Sequence, residues 1–370
     1  MYTRLRKGFI WDFLESAEDC GIVEKDEGFP CRPFNLYDGE KPLLRVLYKN
    51  NEVRVECTHL TCDGVSVSKY LNSLLARYFN LQGYEIEKSV NILRYDDKPE
   101  ETELDDYFYR AAEEKPQKKN LSMIDSPAFL YLRERKPGYL QVVKILIPID
   151  SLKNLIKEKY GSCTITEYLG AVYASAFLQL YEKEGKEKKP VRLAVPCDLR
   201  HFWDTNTLRN FIGGGRIEIK PDKNVYDFMD VLGIVRREMK KVMAKETQHA
   251  FVYASVRYLE LFIMKLIPDF AKKFALASVA PRFEQYRWMH TSTLSNIGYI
   301  KLPPSLADHI LNYMFLLGEM EVNRIACAVA GVGNILTVAF SAVNESTEIQ
   351  DFCVGFFKKD GLPVEVKTVN

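Results

Sequence analysis

His59-Leu60-Thr61-Cys62-Asp63-Gly64 is the stretch whose reading decides the fold. It follows a strand-like run, residues 52–58, in which Val53, Val55 and Cys57 share one face by the two-residue period and Arg54, Glu56 and Thr58 the other. His59 falls in step with the apolar face. After Gly64 the period changes, because Val67, Tyr70, Leu71, Leu74, Leu75 and Tyr78 follow the i, i+3, i+4, i+7 spacing of an amphipathic helix. The hexapeptide therefore sits between a strand and a helix N-terminus. Upstream, residues 43–49 form another strand-like run, and Asn50-Asn51 tolerates the positive φ of a tight turn, so a hairpin is predicted.

With 5 His in 370 residues, a chance His-x-x-x-Asp-Gly is expected roughly 0.015 times. A histidine at a strand end can present one ring nitrogen to a cleft while backbone holds the other, which fixes a neutral tautomer able to accept a proton. Alternatively His59 is a satisfied, half-buried histidine, Asp63 caps the helix and Gly64 serves the turn. A metal site of Cys57, His59 and Cys62 is the third possibility, although Cys-x-His-x-x-Cys lacks a fourth nearby ligand.

Outward from this stretch, residues 96–120 are acidic and then basic with little apolar content, which predicts a solvated connector. The main domain boundary is placed near residue 140, giving 1–138 and 139–370. The second part opens with a strand over 140–148 and a short helix over 149–160. Thr164 and Glu167 then form a capping box before an apolar helix over 168–181. Residues 191–196 read as a buried strand, and the Gly213-Gly214-Gly215 run as a loop joining the strand 216–220. A long amphipathic helix is predicted over 224–246 and further helices over 248–283. A strand over 293–300, a hairpin of 325–332 and 336–342 across Gly333-Asn334, a helix over 348–358 and a strand over 364–368 complete the chain. Strands and helices mix without strict alternation, which favours an α/β or α+β class with mixed sheets.

Lys plus Arg total 51 and Asp plus Glu 50, so the chain lacks the basic excess that binding a phosphate backbone requires, and nucleic acid is not expected as a partner. The eight cysteines, at 20, 31, 57, 62, 163, 197, 327 and 353, contain no Cys-x-x-Cys pair; reduced thiols in the cytosol are expected. Residues 259–279 are the most apolar internal stretch, but six interruptions from Glu260 to Lys273 exclude a transmembrane segment. A buried or groove-forming helix pair is expected there.

The hexapeptide resembles the His-x-x-x-Asp-Gly signature of the chloramphenicol acetyltransferase-like superfamily, and the likeness is greatest to its bacterial alcohol O-acetyltransferases. Weaker matches are residues 4–14, 29–34, 195–200 with 207–211, and 293–298. The resemblance implies two chloramphenicol acetyltransferase-like subdomains with mixed sheets flanked by helices, the segment 285–300 crossing near their interface, and a tunnel that an acyl thioester and an acceptor enter from opposite faces. It implies that His59 is the general base, that Asp63 pairs with an arginine, with Arg200 the candidate, that Gly64 leaves room for close approach, and that Ser295 and Asn296 are candidate oxyanion donors. Ser295 and Asn296 are otherwise a turn pair ahead of Gly298. No bound cofactor is implied; acyl-CoA is the co-substrate and a small molecule the acceptor.

The sequence departs from the superfamily pattern at Thr58, where many relatives carry a second histidine. Relatives also carry an additional strand and helix ahead of the part matched by residues 4–14. A shortened N-terminus is therefore expected, with an exposed sheet edge open to self-association. The expected activity is transfer of a short acyl group, acetyl by preference, from coenzyme A to a hydroxyl or amine. The alternatives are a non-catalytic binding member of the fold and amide-forming condensation on a carrier-protein thioester.

Overall fold

The structure is a computed structural model that describes residues 3–9, 11–16, 22–36, 43–94, 96–116, 126–136, 138–184, 189–220, 226–260, 267–268, 270–272, 290–319 and 323–369. It divides into two compact units. Unit 1 comprises Met1–Leu121, Asp198–Gly213 and Gln248–Glu284, and unit 2 comprises Ser122–Cys197, Gly214–Thr247 and Gln285–Asn370. The contiguous division expected from sequence, 1–138 and 139–370, differs from this: two later segments fold back with the first unit. Both segments are far along the chain from residues 1–121, so only contacts reveal the exchange.

In unit 1 the strands β1 (Thr3–Arg6) and β2 (Phe13–Ser16) pair antiparallel. A three-stranded sheet has the order β3-β4-β5, formed by β3 (Ile22–Lys25), β4 (Leu44–Lys49) and β5 (Glu52–Cys57). The β4–β5 hairpin turns where predicted, with Asn50 at φ 54°. Burial does not alternate along β5, and its one buried residue is charged: Glu56 is 7 % exposed and Val53 39 %. Glu56 is compensated by Arg45 at 2.6 Å, which also lies 4.3 Å above the Phe34 ring, and by the backbone N–H of Cys31 at 2.7 Å. The 29–34 segment is thus a strap over a buried ion pair.

Helix α1 (Gly64–Leu81) follows β5, and the short helices α2 (Glu101–Leu104) and α3 (Tyr107–Ala111) come next. Instead of a solvated connector, α3 packs Tyr107 and Phe108 edge-on against Phe211, with ring centroids 5.5 and 5.2 Å away. Aromatic residues scattered among charges bury selectively, which a composition average hides.

Unit 2 is built on a mixed seven-stranded sheet among the described residues, in the order β12-β6-β11-β10-β9-β7-β8. Its strands are β6 (Gln141–Pro148), β7 (Val191–Asp198), β8 (Ile212–Ile219), β9 (Ser292–Tyr299), β10 (Ile325–Val332), β11 (Ile335–Ala342) and β12 (Glu365–Val369). The pairs β10–β9 and β9–β7 are parallel, while β11 pairs antiparallel with β10 and β6, and β12 with β6. The helices are α4 (Ile149–Leu155), followed by a π-helical turn at Ile156–Tyr160, then α5 (Ile165–Glu184), α6 (Arg200–Trp203), α7 (Phe228–Val242), α8 (Lys245–Glu260), α9 (Pro304–Ala307) and α10 (Glu348–Lys359). Of these α6 and most of α8 belong to unit 1.

The capping box forms as expected: Thr164 N donates to Glu167 at 2.8 Å, and Glu167 N to Thr164 Oγ1 at 3.2 Å. Two expectations are corrected. The Gly213–Gly215 run lies inside β8 and not in a loop, because side chains there would collide with their surroundings: a Cβ at Gly215 would meet Val242 Cγ2 at 2.5 Å, and one at Gly213 Leu199 Cδ2 at 2.6 Å. The single helix expected over 224–246 starts in the described residues at Phe228, capped by Asp227, and stops at Val242, and α8 begins anew at Lys245. Most of the expected helix pair over 259–279, and residues 285–289 of the expected crossing, lie outside the described residues. Among the described residues no helix is long and apolar enough to cross a membrane. The edge strand β12 is exposed and carries Glu365 paired with Lys367 at 2.6 Å, charges that oppose strand addition.

Candidate active site

The hexapeptide occupies the turn between β5 and α1 in unit 1. Thr58 N donates to Leu43 O at 3.2 Å and Thr61 N to Thr58 O at 3.0 Å, so the chain leaves the sheet in a closed turn. Asp63 is the helix N-cap: its Oδ1 accepts from Ser66 N at 3.0 Å. Gly64 takes the first helical position, so its freedom to adopt positive φ is not used.

Asp63 is only 1 % exposed. Its Oδ2 accepts from Arg200 Nη2 at 2.8 Å and from the backbone N–H of Phe211 at 2.9 Å. The same side chain therefore caps the helix and pairs with arginine, and the two roles weighed against each other in sequence coexist on different oxygens. Arg200 spends all three guanidinium nitrogens: Nε donates to Thr207 O at 2.8 Å, Nη1 to Asp198 Oδ1 at 2.8 Å, and Nη2 to Ser66 Oγ at 3.0 Å and Arg209 O at 2.9 Å besides Asp63. Burial works against its charge, yet Asp63 and Asp198 outweigh burial and the pKa is raised. Lys69, in the second turn of α1, is shifted down by burial and then by repulsion from Arg200.

His59 is exposed. Asn210 Nδ2 donates to its backbone carbonyl at 3.1 Å, so the 207–211 segment grips the hexapeptide at both ends, through His59 O and through Asp63. The expectation that backbone would hold one ring nitrogen is not met among the described residues: the carbonyl is fixed and the imidazole is left to solvent. Asn210, Phe211 N–H, Ser66 and Asp198 carry this arrangement without having been assigned roles from sequence. For Asp198, Asn210 and Phe211 the one signal was the match of residues 195–200 and 207–211 to a known pattern; Ser66 had none.

The segment itself is anchored within unit 1. Thr207 Oγ1 donates to Asp105 O at 2.6 Å and Leu208 N to Glu103 O at 2.8 Å. Phe211 lies in a small apolar cluster with Leu199, Val252, Val256, Ala111 and Ala112.

Ser295 and Asn296 lie on β9 in unit 2. Ser295 is 7 % exposed; Asn296 Nδ2 donates to Thr166 Oγ1 at 2.9 Å and its Oδ1 accepts from Gly298 N at 2.8 Å, with Gly298 at φ 81°. These bonds close the strand end. Among the described residues no three His, Cys, Asp or Glu side chains gather where they could hold a metal ion, so Cys57, His59 and Cys62 do not converge on one point.

No protein-family model matches the sequence, and no curated protein matches it. Solved structures do match in fold. TRI101 of F. graminearum, solved with coenzyme A and T-2 mycotoxin, superposes with a TM-score of 0.60 at 10 % identity, covering 100 % of this chain and 88 % of that one. Polyketide synthase associated protein 5 from Mycobacterium tuberculosis gives 0.57 at 13 % identity over 96 % and 85 % of the two chains. The condensation domain that mediates chain release from the enacyloxin polyketide synthase gives 0.50 at 13 % identity over 97 % and 72 %. At 10–13 % identity the likeness is one of fold: this chain folds as TRI101 and the enacyloxin condensation domain do.

Proposed function

We propose that this protein is an acyltransferase that moves a short acyl group, acetyl by preference, from coenzyme A to the hydroxyl or amine of a small molecule, with His59 as general base. The observation that carries the proposal is the turn 58–63: it is pinned through the His59 carbonyl, the Asp63 cap and the Asp63–Arg200 pair, yet it leaves the imidazole of His59 exposed. A fixed backbone with an accessible base is what proton abstraction from an incoming acceptor requires. The TRI101 structure, which contains coenzyme A, supports the choice of donor. The irregular cysteine spacing supports a cytosolic setting.

In this reading His59 takes the acceptor's proton as its oxygen or nitrogen attacks the thioester carbonyl. The tetrahedral intermediate collapses with cleavage of the C–S bond, and His59 returns the proton to the departing thiolate. No acyl-enzyme forms. Asp63 and Arg200 position the turn and do not touch the reacting atoms.

The test is release of free thiol from acetyl-CoA in the presence of a panel of alcohols and amines. His59→Ala is expected to lower the rate by about 10²–10⁴-fold while leaving the urea midpoint in place, because the side chain is exposed. Equal turnover by the two proteins would overturn the assignment. Saturable acyl-CoA binding without turnover would identify a binding member of the fold, and transfer only from a phosphopantetheinyl protein would identify a condensation enzyme.

A further inference from the structure

Two thiols flank His59 and are unused by the proposed chemistry. Cys57 ends β5, Cys62 precedes the N-cap of α1, and their Sγ atoms lie 3.7 Å apart across the turn. We propose that Cys57 and Cys62 are a redox pair that closes to an intramolecular disulfide, so that residues 57–62 become a cross-linked loop containing His59.

Four observations support this. The sulfurs need to approach by roughly 1.7 Å to reach a disulfide bond length of about 2.05 Å. The turn between them is already closed by the Thr61 N and Oγ1 bonds to Thr58 O, at 3.0 and 2.8 Å, so little chain entropy remains to be lost. The two thiols differ in access, Cys57 being half-buried and Cys62 2 % exposed, so an oxidant reaches the pair from the Cys57 side. Finally, the hydrogen bond between the sulfurs shifts the Cys62 thiol down and the Cys57 thiol up, so Cys62 is the readier of the two to ionise.

With a peroxide as oxidant the step balances. One sulfur of the pair attacks a peroxide oxygen, the O–O bond breaks, and one water leaves as a sulfenic acid forms. The second sulfur attacks the first, the S–O bond breaks, and a second water departs as the S–S bond forms. Two thiols and one peroxide give one disulfide and two waters, with two electrons passing from sulfur to oxygen. A thiol reductant reverses the change by exchange.

The full-length, reduced chain provides the test. Arg54 and Lys69 bound a tryptic peptide, residues 55–69, that contains both cysteines and no other cleavage site. The protein is treated with graded hydrogen peroxide, denatured, alkylated with N-ethylmaleimide and digested. The expected product is an unalkylated 55–69 peptide lighter by two hydrogen atoms than the dithiol, which dithiothreitol converts to the doubly alkylated form. Half-buried Cys163, whose thiol burial raises to about 11, should remain alkylatable at the same peroxide dose. Cys57→Ser and Cys62→Ser should each abolish the lighter species. The proposal is overturned if wild-type 55–69 is recovered doubly alkylated when Cys163 has already oxidised, or carrying a sulfinic acid on one cysteine, or joined to another peptide. The pairing rests on sulfur geometry and not on acyl transfer. A chain inactive in thiol release can still yield the cross-linked peptide, and an active chain can fail to.

Discussion

Unit 1 and unit 2 hold themselves together by different means. Unit 2 has one large apolar cluster running through its sheet and the faces of α5, α7 and α10, with Ile145, Ile147, Tyr168, Phe177 and Val235 essentially inaccessible to solvent. Unit 1 has a small apolar cluster and a buried ionic framework: Asp26 with Arg54 at 3.0 Å, Glu56 with Arg45, and Asp63 with Arg200. An apolar core tolerates local repacking, because its interactions are non-directional. An ionic framework fixes direction, and removal of one member leaves an uncompensated buried charge. The proposed base stands in the unit whose backbone is held by directional bonds.

Substitutions in the two units should fail differently. Asp63→Ala removes a helix cap and strands Arg200 with Asp198 as its remaining charge partner; a loss of about 3–5 kcal/mol is expected in urea unfolding, with loss of thiol-release activity. Adding Arg200→Met should restore part of the stability but not the activity, because an apolar replacement for both charges removes the stranded one. If the double variant is as unstable as the sum of the single ones, the ion pair is not what Asp63 supplies. Phe177→Ala in unit 2, where the ring packs on Tyr173 and Tyr131 with centroids 5.0 and 5.9 Å away, should also cost about 3–5 kcal/mol. There the loss scales with the cavity, and no charge-removing partner change should rescue it.

His290 is a titratable exception in unit 2. Burial, then the positive charges of Arg216 and Arg192, push it from 6.5 to about 4. Between these values the unfolded chain holds a proton that the folded chain does not, so stability rises with pH through this window and falls as pH drops below about 6.5. The difference amounts to about 3 kcal/mol across the window. His290→Gln should flatten the change in urea midpoint between pH 4 and 7, and an unchanged slope would remove His290 as its source. The smallest expected effect is that of Asn210→Ala, which deletes one bond to the His59 carbonyl: about 1 kcal/mol in stability, with a rate loss near tenfold. A rate loss as large as that of His59→Ala would instead give Asn210 a direct contact with substrate.

The β4–β5 hairpin, α1, the Thr164–Glu167 box, β9 and the β10–β11 hairpin were legible because each is specified by residues adjacent in sequence, through a turn, a cap or a period. The hexapeptide was legible for the same reason. The burial of Glu56 in place of Val53 was not, since whether a strand face meets carbon or a guanidinium depends on Arg45 and on the 29–34 strap folded over it. Nor was the packing of α3 on Phe211, which brings together residues 103 positions apart.

By itself the sequence determined that His59 would follow a strand and that Asp63 would open a helix, since a change of period and a capping side chain act within one turn of chain. The tertiary structure decided which charge Asp63 meets, that Asn210 fixes the His59 carbonyl and not its ring, that the glycine run lies within a strand, and that 198–213 and 248–284 fold with unit 1. Those outcomes depend on contacts between residues far apart in the chain, and no local propensity encodes the direction of such a contact.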